Sequence, residues 1–472
     1  MSDTLFDFGM VGLGVMGRNF LLNMADHGFS VVGLDKDDHK AVSLEKEASS
    51  GTTVKGVTTA EDFVRLLKPP RRIMMLVPAG KPVDSVIEEF VPLLEPGDIL
   101  IDGGNSHYTD TLRRIRSLEQ KKIHFMGMGV SGGEEGARMG PSIMPGGDRD
   151  AWNAVRPMLE AVSAKVNGSP CVAYLGKDAA GHYVKMVHNG IEYAIMQLIS
   201  ETYLLMHQGL GLDNDKLHEV YGRWNEGELQ SYLLEITRDI FARQDDKTEH
   251  RLIDMILDEA GAKGTGKWTS QDSMDLHYPI PVIDIAVSTR DLSVYKSQRE
   301  EAQQLYGNPD SVLPTNPETF IAALHDGLYT AVIICYAQGL GMLAKASEAL
   351  GMEIPLAEVV RIWQGGCIIR AALLDRFAEI FKDKPNLANL LLSEDIAATL
   401  REKVGPLRTV LQESVQAGYP TPGLSAALNY FDSYRRAHLP VNLIQAQRDY
   451  FGAHTYQRID EPGTFHTQWD KK

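Results

Sequence analysis

Phe8-Gly9-Met10-Val11-Gly12-Leu13-Gly14-Val15-Met16-Gly17 runs from an apolar block into a G-x-G-x-x-G turn, and the residues that follow, as far as Asp26, have helical spacing. A strand that ends in such a turn and hands over to a helix opens a βαβ unit. Gly12 permits a tight turn, Gly14 lets backbone come close to a pyrophosphate, and Gly17 lets helix and strand approach each other. Leu13, Val15 and Met16 complete the loop, and the helix N-terminus behind it attracts phosphate charge. A glycine-rich turn alone would be a weak sign. Here strand, helix and N-terminal position agree, and a dinucleotide site is expected.

Outward from this turn, short β-rich runs alternate with helical segments up to about residue 175. Strands are expected at Asp7–Gly12, Ser30–Leu34, Arg72–Val77, Ile99–Asp102 and Ile123–Met126. That alternation predicts a parallel sheet with helices on both faces. From His182 onward, Ala, Leu, Ile, Met and Glu at helical spacing replace the strands, which predicts a mostly α region. Arg243–Arg251 and Gly307–Pro317 read as connections. The segment from Leu439 to Lys472 reads as a short helix followed by an irregular, aromatic tail. Two pairs of segments suggest a duplicated helical unit: His188-Asn189-Gly190-Ile191 with His325-Asp326-Gly327-Leu328, and Glu219 to Trp224 with Glu358 to Trp363.

The chain has 472 residues, more than one hydrophobic core usually serves, so at least two domains are expected. It is 43% hydrophobic and 23% charged, an ordinary globular composition. Its net charge of −16, from 47 basic and 63 acidic residues, argues against general binding to nucleic acid or to anionic membrane. An anionic ligand would need a local basic site. Cys171, Cys335 and Cys367 have no ligand-like spacing, so neither a disulfide framework nor a metal site is expected, and a reducing cytoplasm fits. Met1 to Asp7 has no basic region ahead of the apolar run, so no signal peptide is expected. The apolar stretch from Leu328 to Ala344 reads as too short and mixed for a membrane span.

Asp35 ends the second strand, where a carboxylate can accept hydrogen bonds from the ribose hydroxyls and would repel a 2′-phosphate. Asp37 and Asp38 follow, and Lys36 is the nearby cation, so the local charge favours NAD over NADP.

In His182-Tyr183-Val184-Lys185-Met186-Val187-His188-Asn189-Gly190-Ile191-Glu192-Tyr193, polar groups at 185, 188, 189 and 192 share one helical face. A solvated stripe would have the same spacing. The rest of the helix is apolar, however, and a buried Lys–Glu face requires a reason. Acid–base work is one: a lysine deprotonated by burial can take a hydroxyl proton as hydride leaves the carbon, and Glu192 can return a proton elsewhere. In the second repeat, Ala322 and Tyr329 stand at the positions of Lys185 and Glu192, so that copy reads as a structural remnant.

Other anion-binding pieces are scattered. Val130-Ser131-Gly132-Gly133 offers a hydroxyl and open backbone N–H groups. Lys263-Gly264-Thr265-Gly266-Lys267-Trp268 reads as a flexible loop with two cations. Arg290, Arg448 and His454 are further candidates.

Taken in order, Gly12–Gly17, Ile101-Asp102-Gly103-Gly104-Asn105-Ser106, Val130–Gly133, Gly181–Tyr193, Gly264–Thr269, Gly365-Gly366-Cys367-Ile368-Ile369-Arg370 and Gln445 to Tyr456 resemble the long-chain 6-phosphogluconate dehydrogenases over nearly the whole chain. The resemblance implies an α/β Rossmann-type domain over 1–178 and a large all-α domain of duplicated units over 179–437. It further implies a tail over 438–472 that reaches the partner subunit of a homodimer. Lys185 would be the general base and Glu192 the general acid. Asn105, His188 and Asn189 would hold substrate hydroxyls or orient the nicotinamide. Ser131, Gly132 and Gly133 would lie near the substrate carboxylate. Tyr193, Lys263, Thr265 and Arg290, with Arg448 and His454 of the partner subunit, would grip the phosphate. Val77 and Ala79 would line the cofactor site.

The implied reaction is the metal-independent oxidative decarboxylation of 6-phosphogluconate to ribulose 5-phosphate in the pentose phosphate pathway. The cofactor would be NAD or NADP. One departure bears on that choice: NADP-using members resemble Asn-Arg-Thr where this chain has Asp35-Lys36-Asp37, so the arginine that would pair with a 2′-phosphate is missing. Two other readings stay open. A β-hydroxyacid dehydrogenase with a non-phosphorylated substrate would share the glycine turn and the lysine helix. A dinucleotide-binding protein without catalysis would need only the turn.

Overall fold

The apolar blocks of the first half pair side by side because each can bury both faces only inside a sheet covered by helices. The structure is a computed structural model that describes residues 5–307, 312–313 and 315–469. Strands β1 (Phe8–Val11), β2 (Val31–Leu34), β3 (Val54–Val57), β4 (Arg72–Met75), β5 (Ile99–Asp102), β6 (His124–Ser131) and β7 (Ser142–Gly147) form one sheet in the order β3-β2-β1-β4-β5-β6-β7. All neighbours are parallel except β6 and β7. Helices α1 (Val15–Asp26), α2 (Asp38–Glu47), α3 (Ala60–Arg65), α4 (Lys81–Phe90), α5 (Tyr108–Glu119), α6 (Gly133–Met139) and α7 (Arg149–Val162) cover it. Alternate side chains go to separate cores: Ile99 and Ile101 to one face, Leu100 to the other.

Two strands of this sheet escape the sequence reading, as does the small antiparallel pair of Lys165–Val166 with Ser169–Pro170. In β3, Val-Lys-Gly-Val is short, polar and at the sheet edge. Its Gly56 is required because a Cβ there would lie 2.2 Å from Ala41 O on α2. In β7, Pro145 and two glycines read as a turn, yet an edge strand tolerates proline, and β7 runs antiparallel to β6. The expectation of a purely parallel sheet is corrected accordingly. The fifth expected strand is also longer than foreseen, since β6 continues to Ser131.

The remainder is helical: α8 (Ala180–Leu204), α9 (Asn214–Asn225), α10 (Tyr232–Ala242), α11 (Thr265–Asp275), α12 (Pro281–Ser293), α13 (Lys296–Tyr306), α14 (Pro317–Leu350), α15 (Leu356–Ile362), α16 (Leu373–Asp383), α17 (Glu394–Ala417), α18 (Pro422–Tyr434) and α19 (Val441–Gly452). The duplication is visible in this order, with α8 to α12 matched by α14 to α18. Each repeat lays its tryptophan on the other's histidine: Trp363 packs on His188 at 5.6 Å between ring centroids, and Trp224 on His325 at 5.8 Å. An antiparallel bridge joins Ser231, ahead of α10, to Ala371, ahead of α16.

Three expectations change here. Helix α14 has 34 residues and is long and apolar enough to cross a membrane, contrary to the reading of a short stretch. It is nonetheless the core of the helical region, with 72% of its most apolar window buried against other helices. The segment Lys263–Trp268 is not a loop throughout, since α11 begins at Thr265 and leaves Lys267 exposed on a helix. Of the connection expected over Gly307–Pro317, residues 308–311 and 314 lie outside the described residues, as do residues 1–4 of the N-terminus.

The last segment folds on itself. Buried Asp449 on α19 accepts hydrogen bonds from Thr455 N (2.9 Å), Thr467 N (3.0 Å), Trp469 Nε1 (2.9 Å) and the His466 ring (2.9 Å). Leu443, Ile444 and Phe451 remain exposed on it.

Candidate active site

The glycine turn divides its work between packing and access. At Gly12 (φ +95°) a Cβ would meet Leu76 O at 2.6 Å, and at Gly17 it would meet Gly12 O at 2.0 Å. At Gly14 nothing lies within 4 Å, so that glycine leaves open space over the first turn of α1. No side chain caps α1, whose N–H groups stay available to an anion. These features fit a dinucleotide pyrophosphate.

Asp35 stands beside the turn, where its Oδ2 accepts from Leu13 N at 2.9 Å and its Oδ1 from Asp37 N at 3.1 Å. Burial pushes this carboxyl up, but the two backbone bonds and Lys40 outweigh it and hold it below the ordinary aspartate value. The nearby cation is therefore not the expected Lys36, which pairs with Glu89 at 3.5 Å, but Lys40, 3.3 Å from Asp35. One turn into α2, Lys40 gave no signal in the sequence. Val77 and Ala79 follow β4, and Ala79 is exposed.

Helix α8 lies in a trough of glycines. Strand β6 alternates Met126, Met128 and Val130 with Gly127 and Gly129, and the glycine side receives the helix. A Cβ on Gly129 would be 2.4 Å from Lys185 Cβ, and one on Gly181 would be 2.2 Å from Gly127 O. This close approach buries Lys185 to 6% exposure. Burial pushes its ammonium pKa down, against the pull of Glu192 and Cys367. His188 is fully buried. Desolvation, and then the charge of Lys185, hold its pKa well below the usual histidine value, so the ring is neutral.

His188 Nδ1 stands 3.5 Å from Lys185 Nζ and 3.1 Å from Asn189 Oδ1, and Nε2 stands 3.3 Å from Ser131 Oγ. Burial raises the Glu192 carboxyl pKa, with Lys185 and Arg290 pulling it back. One helix face thus offers a base that sheds its proton early and an acid that keeps its proton late.

A cleft of about 730 Å³ brings these groups together. Met16 comes from the glycine turn, Asn105 from the loop after β5, and Ser131, Gly132 and Gly133 from the end of β6. Lys185, Asn189, Glu192 and Tyr193 of α8 line it, with Lys263 and Thr265 at the start of α11 and Arg290 of α12. Arg290 stacks on the Tyr193 ring at 3.7 Å. Gly266 allows that ring to sit against α11, since a Cβ there would be 2.5 Å from it. The basic exception demanded by the overall acidity is made by Lys263 and Arg290, which line the cleft with Lys185.

Arg448 and His454 do not line this cleft within the single chain. Arg448 bonds to Gln445 at 3.0 Å, and His454 lies against Phe451. Sequence reasoning assigned no role to the loop after α15. There Ile368 reaches the cleft, and Gly366 O comes so near Gly132 that a Cβ on the latter would be 2.6 Å away.

The second repeat is filled from within. Among the described residues, Glu228, His325 and Asp326 bring possible metal-ligand atoms within 4.8 Å of one another, a grouping that sequence spacing hid. Lys403 Nζ already bridges Glu228 (2.5 Å) and Asp326 (2.7 Å).

Comparison with known proteins agrees over almost the entire chain. Residues 7–176 match the family model of the NAD binding domain of 6-phosphogluconate dehydrogenase, and residues 181–469 match that of the 6-phosphogluconate dehydrogenase C-terminal domain. The chain is 50% identical over 464 residues to the NADP(+)-dependent, decarboxylating 6-phosphogluconate dehydrogenase of Bacillus subtilis, covering 98% of this chain and 99% of that one. It is 49% identical over 468 residues to the decarboxylating 6-phosphogluconate dehydrogenase of Synechocystis, covering 98% and 97%. Among solved structures it is similar to Plasmodium falciparum 6-phosphogluconate dehydrogenase, determined in its apo form, with its cofactor NADP+ and with its substrate 6-phosphogluconate. The TM-score is 0.95 at 44% identity, over 98% of this chain and 100% of that one.

Proposed function

The chain belongs to the 6-phosphogluconate dehydrogenase family, and from that membership we propose that it converts 6-phosphogluconate to ribulose 5-phosphate and carbon dioxide, with a nicotinamide dinucleotide as oxidant. The observation that carries the reading is the shared cleft, lined by Lys185 and Glu192 of one helix together with Asn105 and Met16 of the glycine turn. When bound, the dinucleotide supplies the hydride acceptor. Neutral Lys185 takes the C3 hydroxyl proton as the C3 hydride departs, leaving a 3-keto acid. The new carbonyl is β to the carboxylate, so carbon dioxide leaves with its bonding pair retained as an enediol, whose oxygen is protonated by Lys185. Glu192 then delivers a proton to C2, the carbon that lost the carboxylate and becomes C1 of ribulose 5-phosphate, while Lys185 takes back the C3 hydroxyl proton, which closes the ketone.

Ser131, Gly132 and Gly133 are assigned to the substrate carboxylate, and His188, Asn189 and Asn105 to its hydroxyls. Tyr193, Lys263, Thr265 and Arg290 are assigned to the phosphate. Two cations lining the cleft besides the base, Lys263 and Arg290, support a phosphorylated acid over a non-phosphorylated one. Absorbance of the reduced nicotinamide on mixing enzyme, 6-phosphogluconate and cofactor tests the assignment, and absence of turnover with both NAD and NADP overturns it.

NAD is the favoured cofactor in this reading. The ionised Asp35 beside the turn suits ribose hydroxyls and repels a 2′-phosphate, although Lys40 softens that repulsion. Comparing kcat/KM for the two cofactors is expected to favour NAD by about tenfold, with Asp35→Asn moving the ratio toward NADP. A wild-type preference for NADP refutes it.

The partner subunit completes the phosphate site in the same reading. The exposed Leu443, Ile444 and Phe451 beside Arg448 support exchange of the tail between two copies, in a reducing cytoplasm that suits three free buried cysteines. Co-expressed Lys185→Ala and Arg448→Ala chains, each inactive alone, are expected to recover roughly a quarter of wild-type activity through mixed dimers. No recovery would mean that each tail serves its own chain.

A further inference from the structure

Asn105 faces the cleft, yet both of its neighbours are tied to one buried carboxylate. Gly104 N donates to Asp102 Oδ1 at 3.0 Å, and Ser106 Oγ donates to Asp102 Oδ2 at 2.6 Å. The loop's conformation therefore depends on what holds Asp102. That group is Arg114 of α5, whose side chain is 1% exposed. Its Nη1 donates to Asp102 Oδ2 at 3.2 Å and to Ser106 Oγ at 3.3 Å. The rest of the guanidinium faces the other cofactor-side loop, with Nε to Asp84 Oδ1 at 2.8 Å and Nη2 to Gly80 O at 3.0 Å. Gly80 closes the turn that carries Val77 and Ala79.

Asp102 also holds the catalytic helix. Its backbone O accepts from His182 Nε2 at 3.0 Å, three residues ahead of Lys185, and the other ring nitrogen meets Thr111 Oγ1 at 2.6 Å. A buried arginine between two carboxylates is an expensive way to join a helix to a sheet, since apolar packing there usually does as well or better. The planar, multi-donor group does what apolar packing cannot, holding two loops and a helix at set distances.

Building on the function proposed above, we propose that Arg114 is a positioning residue for this reaction. It fixes the loop of Asn105 and the loop of Val77 relative to Lys185, so that the nicotinamide is presented to the base. Arg114 touches neither reactant.

The test uses the full-length enzyme with Arg114→Lys, which keeps the charge but cannot reach all four acceptors, and Ser106→Ala, which removes one strut and leaves the ion pair. Both are expected to retain the wild-type melting transition to within a few degrees. Their kcat/KM for the dinucleotide should fall about 10- to 100-fold, as for a misplacement of reacting groups on the ångström scale. The dissociation constant for 6-phosphogluconate without cofactor should rise only a fewfold, well short of that loss, because Asn105 is one among several residues assigned to the substrate. Wild-type kcat/KM in a folded Arg114→Lys variant overturns the proposal, as does an equal loss of 6-phosphogluconate binding, which would mark a general structural role. If Arg114→Lys fails to fold, Ser106→Ala decides alone. If wild type itself does not turn over 6-phosphogluconate, the functional reading falls, and the dinucleotide dissociation constants of the same variants still judge Arg114.

Discussion

Lys185→Ala is expected to lower kcat by about 10³-fold or more while leaving the dinucleotide dissociation constant near wild type, because general-base catalysis is worth about 10² to 10⁴. The side chain lies on α8 and the glycine turn proposed for the pyrophosphate lies between β1 and α1, so binding of the cofactor is not expected to depend on it. Steady-state rates and cofactor titration by fluorescence separate the two quantities. The pH profile adds a signature. The base works only when neutral, so kcat/KM rises with pH through its pKa. That limb should lie below the ordinary lysine value of 10.5, because burial pushes the ammonium down. Burial raises the acid, Glu192, so its protonated form persists above the ordinary glutamate value of 4.5 before activity falls on the alkaline side. An unchanged kcat in Lys185→Ala would remove the lysine from the chemistry.

Gly129→Ala is expected to cost about 10²-fold in kcat, through a residue that touches no ligand. Its added methyl would lie 2.4 Å from Lys185 Cβ and 2.8 Å from Cγ, contacts that force the lysine stem or all of α8 away from β6. Either movement displaces Nζ and admits water. The acid limb of the pH profile should then move toward the ordinary lysine value. Overpacking of this kind also costs about 1–3 kcal/mol of stability, so the melting transition is measured alongside. A folded variant with wild-type kcat and an unmoved profile would show that the trough does not set the lysine's position. Because no polar contact is lost, this substitution separates the position of Lys185 from its chemistry.

Most of the site could be read from residue order. Met16 of the turn at Gly12–Gly17, Lys185, Asn189 and Glu192 of the polar face, and the cations at 263 and 290 line one cleft, while His188 is fully buried. Each rests on local periodicity or on a short motif. The misses have different causes. Strands β3 and β7 lack the apolar alternation because they sit at sheet edges: β3 is largely half-buried, and β7, though buried, carries a proline that an edge tolerates. Lys40 pairs with Asp35 only after α2 folds back, and a reader of the sequence sees Lys36 first. Helix α14 reads as a short apolar stretch because its polar ends meet water while its middle is wrapped by α8 and α17.

By itself, the sequence determined the class of fold, the glycine turn between β1 and α1, and the shared helix face of Lys185 and Glu192, since spacing along a strand or helix assigns a side chain to a face before any packing occurs. Only the tertiary structure decided that Gly129 makes room for Lys185, that Trp363 of one repeat backs His188 of the other, and that Arg114 joins two loops to α8. These are contacts between residues far apart in the chain. The steric limits and buried hydrogen bonds that select them exist only once both surfaces have met.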